Sequence, residues 1–276
     1  MGKKVALVTG ASSGIGFESA IWLKKAGFTV YGAARRLEKM ESLKEQGVIP
    51  LPLDVTEDAS MVRCIETIVE NEGKIDVLVN NAGYGAYGAL EDVPISEARK
   101  QMEVNVFGLA RMAQLVLPHM RRHGFGRIIN ISSMGGKIYT SFGGWYHAAK
   151  FAVEALSDCL RLEIEGFGID VVVIEPGGIR TDWGLIAAEN LKRTSRGGAY
   201  EKSSVKVADA MRKVYRGGKV SDPSVVAKAV VAAATAKRPK IRYLLGFGAK
   251  PSVFLRWILP DRIFDRVVGW IFGGFF

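Results

Sequence analysis

Short apolar runs alternate with helical patterns along the first two thirds of the chain, and this alternation restricts the fold most. Val5–Val8, Phe28–Ala34, Ile49–Leu53, Ile75–Val79, Gly126–Ser132 and Asp170–Ile174 read as strands, each a brief apolar stretch bounded by turn-forming or polar residues. Apolar residues at helical spacing fill the intervals, to about Ala26, over Leu37–Gln46, Glu57–Asn71 and Ser96–Arg122, and from Tyr146 to Leu162. Strands that are continuously apolar bury both faces, so the alternation predicts an α/β, doubly wound parallel sheet. At 276 residues, 48% of them apolar, the chain can fill one large core and is short for two. No segment repeats with a period of 20–50 residues and none resembles a disordered linker.

In sheets of this kind a ligand sits beyond the carboxyl ends of the strands, where strand order reverses. The first strand runs into Thr9-Gly10-Ala11-Ser12-Ser13-Gly14-Ile15-Gly16. Glycines there permit a tight turn and close backbone approach, and the following helix offers unpaired N–H groups to a pyrophosphate. The spacing G-x-x-x-G-x-G departs from the commoner G-x-G-x-x-G and is not decisive by itself. The second strand ends in Arg35-Arg36, where NAD-binding domains of this architecture place an acid for the ribose 2′-hydroxyl. Two guanidinium groups suit a 2′-phosphate, so NADP(H) is the expected cofactor; the alternative is an ordinary basic turn.

A candidate acid–base group follows the fifth strand. Tyr146 and Lys150 are four apart on a helix and share one face. A phenol titrates near pH 10, about three units too high for good acid–base work at neutrality. A neighbouring ammonium is expected to lower that value. Ser133, at the strand end, can donate a hydrogen bond to a carbonyl or alkoxide oxygen beside the phenol. Taken alone, a Tyr and Lys one turn apart more often form a packed ring and a solvated amine.

The motifs taken together resemble the short-chain dehydrogenase/reductase family. They are Thr9–Gly16, Asp54-Val55, Asn80-Asn81-Ala82-Gly83, Asn105 between two valines, Ser133, Tyr146 with Lys150, and Pro176-Gly177-Gly178-Ile179-Arg180-Thr181, in the family's order across about residues 3–182. The resemblance implies a Rossmann-type fold and hydride exchange between a nicotinamide and a carbonyl carbon, with Asn105, Ser133, Tyr146 and Lys150 as catalytic residues. For the cofactor it implies Gly10, Ser12, Ser13, Gly14, Ile15 and Gly16 at the phosphates, Asp54 and Val55 at the adenine, and Asn81, Ala82 and Gly83 at the ribose side. Lys150 would also bond the nicotinamide ribose, and Pro176, Gly177, Ile179 and Thr181 would border the nicotinamide, Ile179 and Thr181 holding its carboxamide. Asn105 would hold a water linking Lys150 to solvent. The plainer alternatives are a helix-distorting amide for Asn105 and a strand-end turn residue for Asp54.

Residues 1–250 are expected to form the dinucleotide-binding and catalytic domain, with a substrate lid at about 182–221 and a hydrophobic, basic extension at 251–276. Trp183, Leu185, Ile186 and Leu191 in the lid, with Phe142 and Trp145 near Tyr146, suggest a hydrophobic substrate unless they merely pack the lid onto the sheet. The extension is similar in style to those of 17β-hydroxysteroid and retinol dehydrogenases, which points to steroids, retinoids or acyl ketones; reduction of a small polar ketone or a sugar stays open. The family also implies dimers or tetramers.

Charge separates partners rather than folds. Residues 1–180 carry 20 basic and 21 acidic side chains, whereas residues 181–276 carry 18 and 7, so the net +10 belongs to the last third. Pro251–Phe276 mixes Phe254, Trp257, Phe264, Trp270, Phe272, Phe275 and Phe276 with Arg256, Arg262 and Arg266. Such a stretch can lie in the interface of an anionic membrane, close the pocket, or contact another subunit. A nucleic-acid-binding or nucleotide-sensing protein is the competing class; it leaves the joint presence of Ser133, Tyr146 and Lys150 without purpose. Cys64 and Cys159 have no metal-like spacing and fit a reducing compartment, Met1–Val5 leads directly into a strand with no room for a cleaved leader, and no run approaches the roughly 20 apolar residues of a spanning helix. The expected location is cytoplasmic, with peripheral membrane contact through the tail as an option.

Overall fold

The computed structural model describes residues 2–272; Phe275, Phe276 and the Phe272 side chain lie outside the described residues. Seven parallel strands form one sheet: β1 (Val5–Thr9), β2 (Thr29–Ala34), β3 (Ile49–Pro52), β4 (Val77–Asn80), β5 (Gly126–Ile131), β6 (Ile169–Pro176) and β7 (Arg242–Leu245). Their order is β3-β2-β1-β4-β5-β6-β7, so the direction of winding reverses between β1 and β4. The sheet is the doubly wound Rossmann-type architecture expected from the alternation, in one domain. It has one strand more than the six legible in sequence. β7 is only Arg-Tyr-Leu-Leu, half-buried at the edge and preceded by Lys237, Arg238, Pro239 and Lys240, so it lacks the long apolar run that marks a central strand.

The helices are α1 (Gly14–Lys25), α2 (Glu41–Glu45), α3 (Asp58–Glu72), α4 (Ile95–Met102), α5 (Gly108–His123), α6 (Gly144–Glu163), α7 (Trp183–Thr194), α8 (Glu201–Arg216), α9 (Ser224–Thr235), α10 (Ala249–Ile258) and α11 (Asp261–Phe272). Alternate strand residues serve opposite faces. Ala6, Val8, Val30, Val79, Ile129 and Ile174 pack with Ala20 and Leu23 of α1 and with Val226, Val230 and Ala233 of α9. Leu7, Tyr31, Leu78, Ile128 and Val171 pack with Ile65 and Ile68 of α3 and Met112, Val116 and Met120 of α5. Central strands β1, β4 and β5 are buried throughout, whereas β3 is a partly exposed edge that tolerates Pro50 and Pro52 because one side needs no ladder.

The segment read as one helix over Ser96–Arg122 is three pieces. α4 passes through a π-helical turn, Glu103–Phe107, before α5 begins at Gly108. The expected lid becomes α7 and α8, packed on each other through Ala187, Ala188, Leu191, Val207, Ala208 and Met211.

Gly16 shows how tightly the first turn is seated. A Cβ there would stand 2.4 Å from Asn81 Nδ2 and 2.5 Å from the Gly10 carbonyl oxygen. Gly16→Ala should therefore destabilise the protein by about 1–3 kcal/mol, read as a lower denaturant midpoint at unchanged slope.

Candidate active site

A cavity of about 1060 Å³ opens above the carboxyl ends of the strands, on both sides of the β1/β4 reversal. Gly10, Ser12, Ser13, Gly14, Ile15, Arg35, Arg36, Asp54, Val55, Asn81, Ala82, Gly83, Ser133, Tyr146, Lys150, Pro176, Gly177, Ile179 and Thr181 all line it. Two of the sequence-derived residues are outside its wall. Gly16 is packed behind the turn against Asn81, and Asn105 lies in the π-helical turn, 1% exposed. The Asn105 side chain accepts from Tyr84 N–H at 3.0 Å and donates to the Tyr84 carbonyl at 2.8 Å. It thus holds the loop after β4.

The polar end of the cavity is built from backbone. α1 has Ser13 at its N-cap position without a side-chain cap bond, so its first amides have no side-chain acceptor where they border the cavity. Arg35 and Arg36 are exposed at the end of β2. Asp54 is held by Thr56, whose N–H and hydroxyl donate to Oδ1 at 3.0 and 2.8 Å, with Arg35 4.0 Å from its other oxygen. These donors and cations fit an anionic dinucleotide.

The reacting end draws on β5 and α6. Ser133 follows β5; its hydroxyl donates toward the Pro176 carbonyl at 3.4 Å and accepts from Gly135 N–H at 3.0 Å. Tyr146 is buried between Tyr87, Trp183 and His147, with ring centroids 5.8, 5.0 and 5.8 Å away. Lys150 Nζ donates to the Ile131 carbonyl at 2.8 Å and lies 6.0 Å from the Tyr146 ring centre. The expectation that lysine lowers the phenol is corrected here: burial pushes Tyr146 above its ordinary value, and the Ser133 hydroxyl only partly opposes it. Lys150 itself is pulled down to about 8 by burial, with Glu154 resisting.

Several residues were not found by sequence reading. Tyr84, Tyr87, Thr140, His147, Met211, Val214 and Tyr215 line the cavity; Leu255 and Ile271 line it too, as the pocket-closing reading of the tail expects. His147 was within reach, since it follows Tyr146 directly. Its Nε2 accepts from Thr140 N–H at 3.0 Å, so the proton is on Nδ1, which donates to the Gly135 carbonyl at 2.9 Å. The ring therefore braces the loop between Ser133 and Tyr146. Of the expected lid residues, Trp183 and Ile186 reach the cavity; Leu191 is buried between α7 and α8, and Leu185, Phe142 and Trp145 are not in the wall.

Comparison with known proteins agrees with this arrangement. Residues 4–190 match the family model described as short chain dehydrogenase. The chain belongs to the short-chain dehydrogenase/reductase family. It is 36% identical over 265 residues to a probable short-chain type dehydrogenase/reductase, VdlC, of Helicobacter pylori, covering 95% of this chain and 96% of that one. It is 37% identical to a 3-ketodihydrosphingosine reductase of Bacteroides thetaiotaomicron, covering 89% of each, and 33% identical to estradiol 17-beta-dehydrogenase 1 of Rattus norvegicus, covering 88% and 74%. The crystal structure of a short-chain dehydrogenase from Streptomyces avermitilis superposes with a TM-score of 0.81 at 33% identity, covering 98% and 96%. Solved structures of this fold include an actinorhodin polyketide ketoreductase with NADPH and a Burkholderia phymatum enzyme with NAD. This chain is thus an oxidoreductase of that family, acting on CH–OH groups.

Burial depresses the titration of His147, and protonating it would remove the acceptor that Thr140 uses. A group whose folded-state value is depressed gives stability that is complete above its unfolded value, near 6.5, and lost as pH falls through the folded one. Denaturant unfolding from neutral pH downward should therefore show a steeper acid-side loss for the parent protein than for His147→Ala. Parallel curves would remove His147 as the source.

Proposed function

We propose that the protein is an NADP(H)-dependent reductase or dehydrogenase interconverting a carbonyl and an alcohol on a hydrophobic substrate. The observation that carries this reading is the placement of Ser133, Tyr146 and Lys150 on the wall of the same cavity whose far end holds the α1 amides and Arg35/Arg36. A nicotinamide bound there would supply or accept the hydride. Arg35 and Arg36 would hold the 2′-phosphate, the α1 turn the pyrophosphate, Asp54 and Val55 the adenine, and Asn81–Gly83 the ribose side. Lys150 would bond the second ribose, and Pro176, Gly177, Ile179 and Thr181 would border the nicotinamide, the last two holding its amide.

The chain's own contribution to the reaction is orientation and proton handling. Ser133 offers its hydroxyl to the substrate oxygen, and Tyr146 delivers a proton to that oxygen or takes it away. A phenol kept protonated by burial is ready to donate, which suits carbonyl reduction. Lys150, pulled down to about 8 by burial, can hold or release the proton next in line. Asn105 supports this arrangement by fixing the Tyr84 loop at the edge of the cavity.

Tyr87, Trp183, Ile186, Val207, Met211 and Leu255 give the substrate end an apolar lining. The 3-ketodihydrosphingosine reductase and the estradiol dehydrogenase among its relatives are named for apolar substrates, which supports a lipid-like carbonyl compound. The nucleic-acid-binding alternative leaves the convergence of three acid–base groups in one cavity unexplained. Phe107 on the π-helical turn and Phe151 and Leu162 on α6 are exposed apolar side chains suited to burial against a second copy, and a homodimer or tetramer is proposed through them.

Tyr146→Phe should reduce NADPH-linked turnover of hydrophobic ketones about a hundredfold or more while leaving cofactor affinity unchanged. Retained turnover would exclude Tyr146 as the essential acid. Replacing both Arg35 and Arg36 with Ala should raise the KM for NADPH about tenfold to a hundredfold and spare that for NADH, the scale of two lost charge-assisted contacts. Equal effects on both cofactors would reverse the NADP assignment.

A further inference from the structure

The tail helices have an inner and an outer face. On the inner face Phe264 and Val268 are buried against Ile138, in the loop after Ser133. Arg256 lies over the Tyr139 and Phe264 rings, 5.3 and 5.5 Å from their centres, and pairs with Asp261 at 2.9 Å. The Tyr139 hydroxyl donates to Asp265 at 3.0 Å. These contacts fasten α10 and α11 to the body beside the cavity, so closure of the pocket is one use of the tail.

The outer face is left over. Trp257 and Trp270 are 81% and 83% exposed, and Phe254, Ile258 and Ile263 are about half exposed. Phe254, Trp257 and Ile258 share one side of α10 at helical spacing, as Ile263, Arg266 and Trp270 do on α11. A concentration of large apolar side chains in so short a segment is unlike the scattered apolar exposure of an ordinary surface. Leu255, packed on the inner face, and the half-exposed Ile271, at helical spacing with Phe264 and Val268, line the cavity, so the tail helices border its mouth while their outer face points away from the body.

We infer that the outer face of α10 and α11 docks on an anionic lipid surface, presenting the cavity mouth to the bilayer. Charge decides between lipid and a second copy. Residues 251–276 carry three arginines and two aspartates; Asp261 pairs with Arg256 and Asp265 accepts from Tyr139, while Arg262 and Arg266 are exposed beside the tryptophans. Self-pairing of this face would set those arginines against their own equivalents, whereas anionic headgroups neutralise them. Indole rings with a polar N–H favour the headgroup boundary, and arginine stems can lie along it with the charge in water. At 10 and 12 residues the two helices are far short of the roughly 20 needed to span, so they lie on the surface. Among the described residues no helix is long and apolar enough to cross a membrane. The inference extends the hydrophobic-substrate reading, because a mouth at the bilayer surface gives access to a carbonyl compound dissolved there.

The test is sedimentation of the full chain with phosphatidylcholine vesicles, with and without phosphatidylglycerol, at low and high salt. Binding is expected to require phosphatidylglycerol, to weaken with salt and to shift tryptophan emission to the blue. Trp257→Ser combined with Trp270→Ser should weaken partitioning about tenfold or more, and Arg262→Glu with Arg266→Glu should remove the preference for anionic lipid. No binding of the parent protein at either salt overturns the inference. So does a concentration-dependent dimer, seen by sedimentation velocity without lipid, that the tryptophan double variant abolishes. NADPH consumption with a water-soluble ketone, measured without vesicles, separates the two readings. Vesicle binding without turnover on any ketone supports docking and defeats the reductase; turnover in parent and variant without vesicle binding does the reverse.

Discussion

A single threonine hydroxyl ties the two strands that diverge at the crevice. Thr9 Oγ1 accepts from the N–H groups of Asn81 and Ala82, each at 3.0 Å, and donates toward the Val79 carbonyl at 3.4 Å. The Asn81 side chain returns the contact, donating to the carbonyls of Thr9 and Gly10 at 3.0 and 3.2 Å. A hydroxyl has one proton and two lone pairs, and here all three are used. Strand order reverses between β1 and β4, so their connections leave in opposite directions and their ends must be satisfied locally. The knot does this while leaving the space above it open. It also seats the glycine turn, because Gly16 approaches both Gly10 and Asn81 too closely for any side chain.

A second buried polar chain sets the reacting end. Asn80 Nδ2 donates to Asn130 Oδ1 at 3.0 Å, Asn130 Nδ2 to Ser157 Oγ at 2.9 Å, and Ser157 Oγ to the Val153 carbonyl at 2.6 Å. It runs from β4 through β5 to α6. Lys150, from the same helix, bonds the last carbonyl of β5. α6 is therefore pinned to β5 at two places, two turns apart. Ser133 leaves that strand and Tyr146 begins that helix, so their relation is fixed by the strand–helix pair, with the intervening loop braced by His147.

What could be read from the sequence follows from this construction. Buried parallel strands must be continuously apolar, so β1, β4, β5 and β6 were visible, and most residues singled out from the motifs line the cavity just beyond a strand end. β7 escaped because an edge strand is held by partners elsewhere. Arg242 reaches Glu154 at 3.2 Å and Asp158 at 2.6 Å, contacts separated by more than eighty positions. A helix distortion at Asn105 was among the sequence readings, but its cause was not, since Asn105 is held by the backbone of Tyr84, twenty-one residues away. Tyr215 reaches the cavity only through the packing of α8, where no motif constrains the chain, whereas Leu255 and Ile271 belong to the tail whose composition already allowed closure of the pocket. The sign of the Tyr146 shift was misjudged for a related reason. Spacing reveals a neighbouring charge, whereas burial depends on Tyr87 and Trp183 closing over the ring.

Charge behind the cavity completes the electrostatics. Lys150, Glu154 and Asp158 succeed one another at four-residue intervals, a polar stripe on a helix face that is otherwise buried. Glu154 pairs with Lys137 at 3.1 Å and with Arg242 at 3.2 Å, and Arg242 also meets Glu175 at 3.2 Å. Burial, with Glu154 adding to it, holds the Glu175 carboxyl above the usual carboxylate range. Buried charges persist only when paired, so the stripe needs both Lys137, from the turn after Ser133, and Arg242, from the edge strand. Burial pulls Lys150 down to about 8, and Glu154, one turn further along, opposes that shift. The acid–base behaviour of the reacting end thus depends on a strand that never touches it, through a carboxylate whose other partners lie outside the cavity.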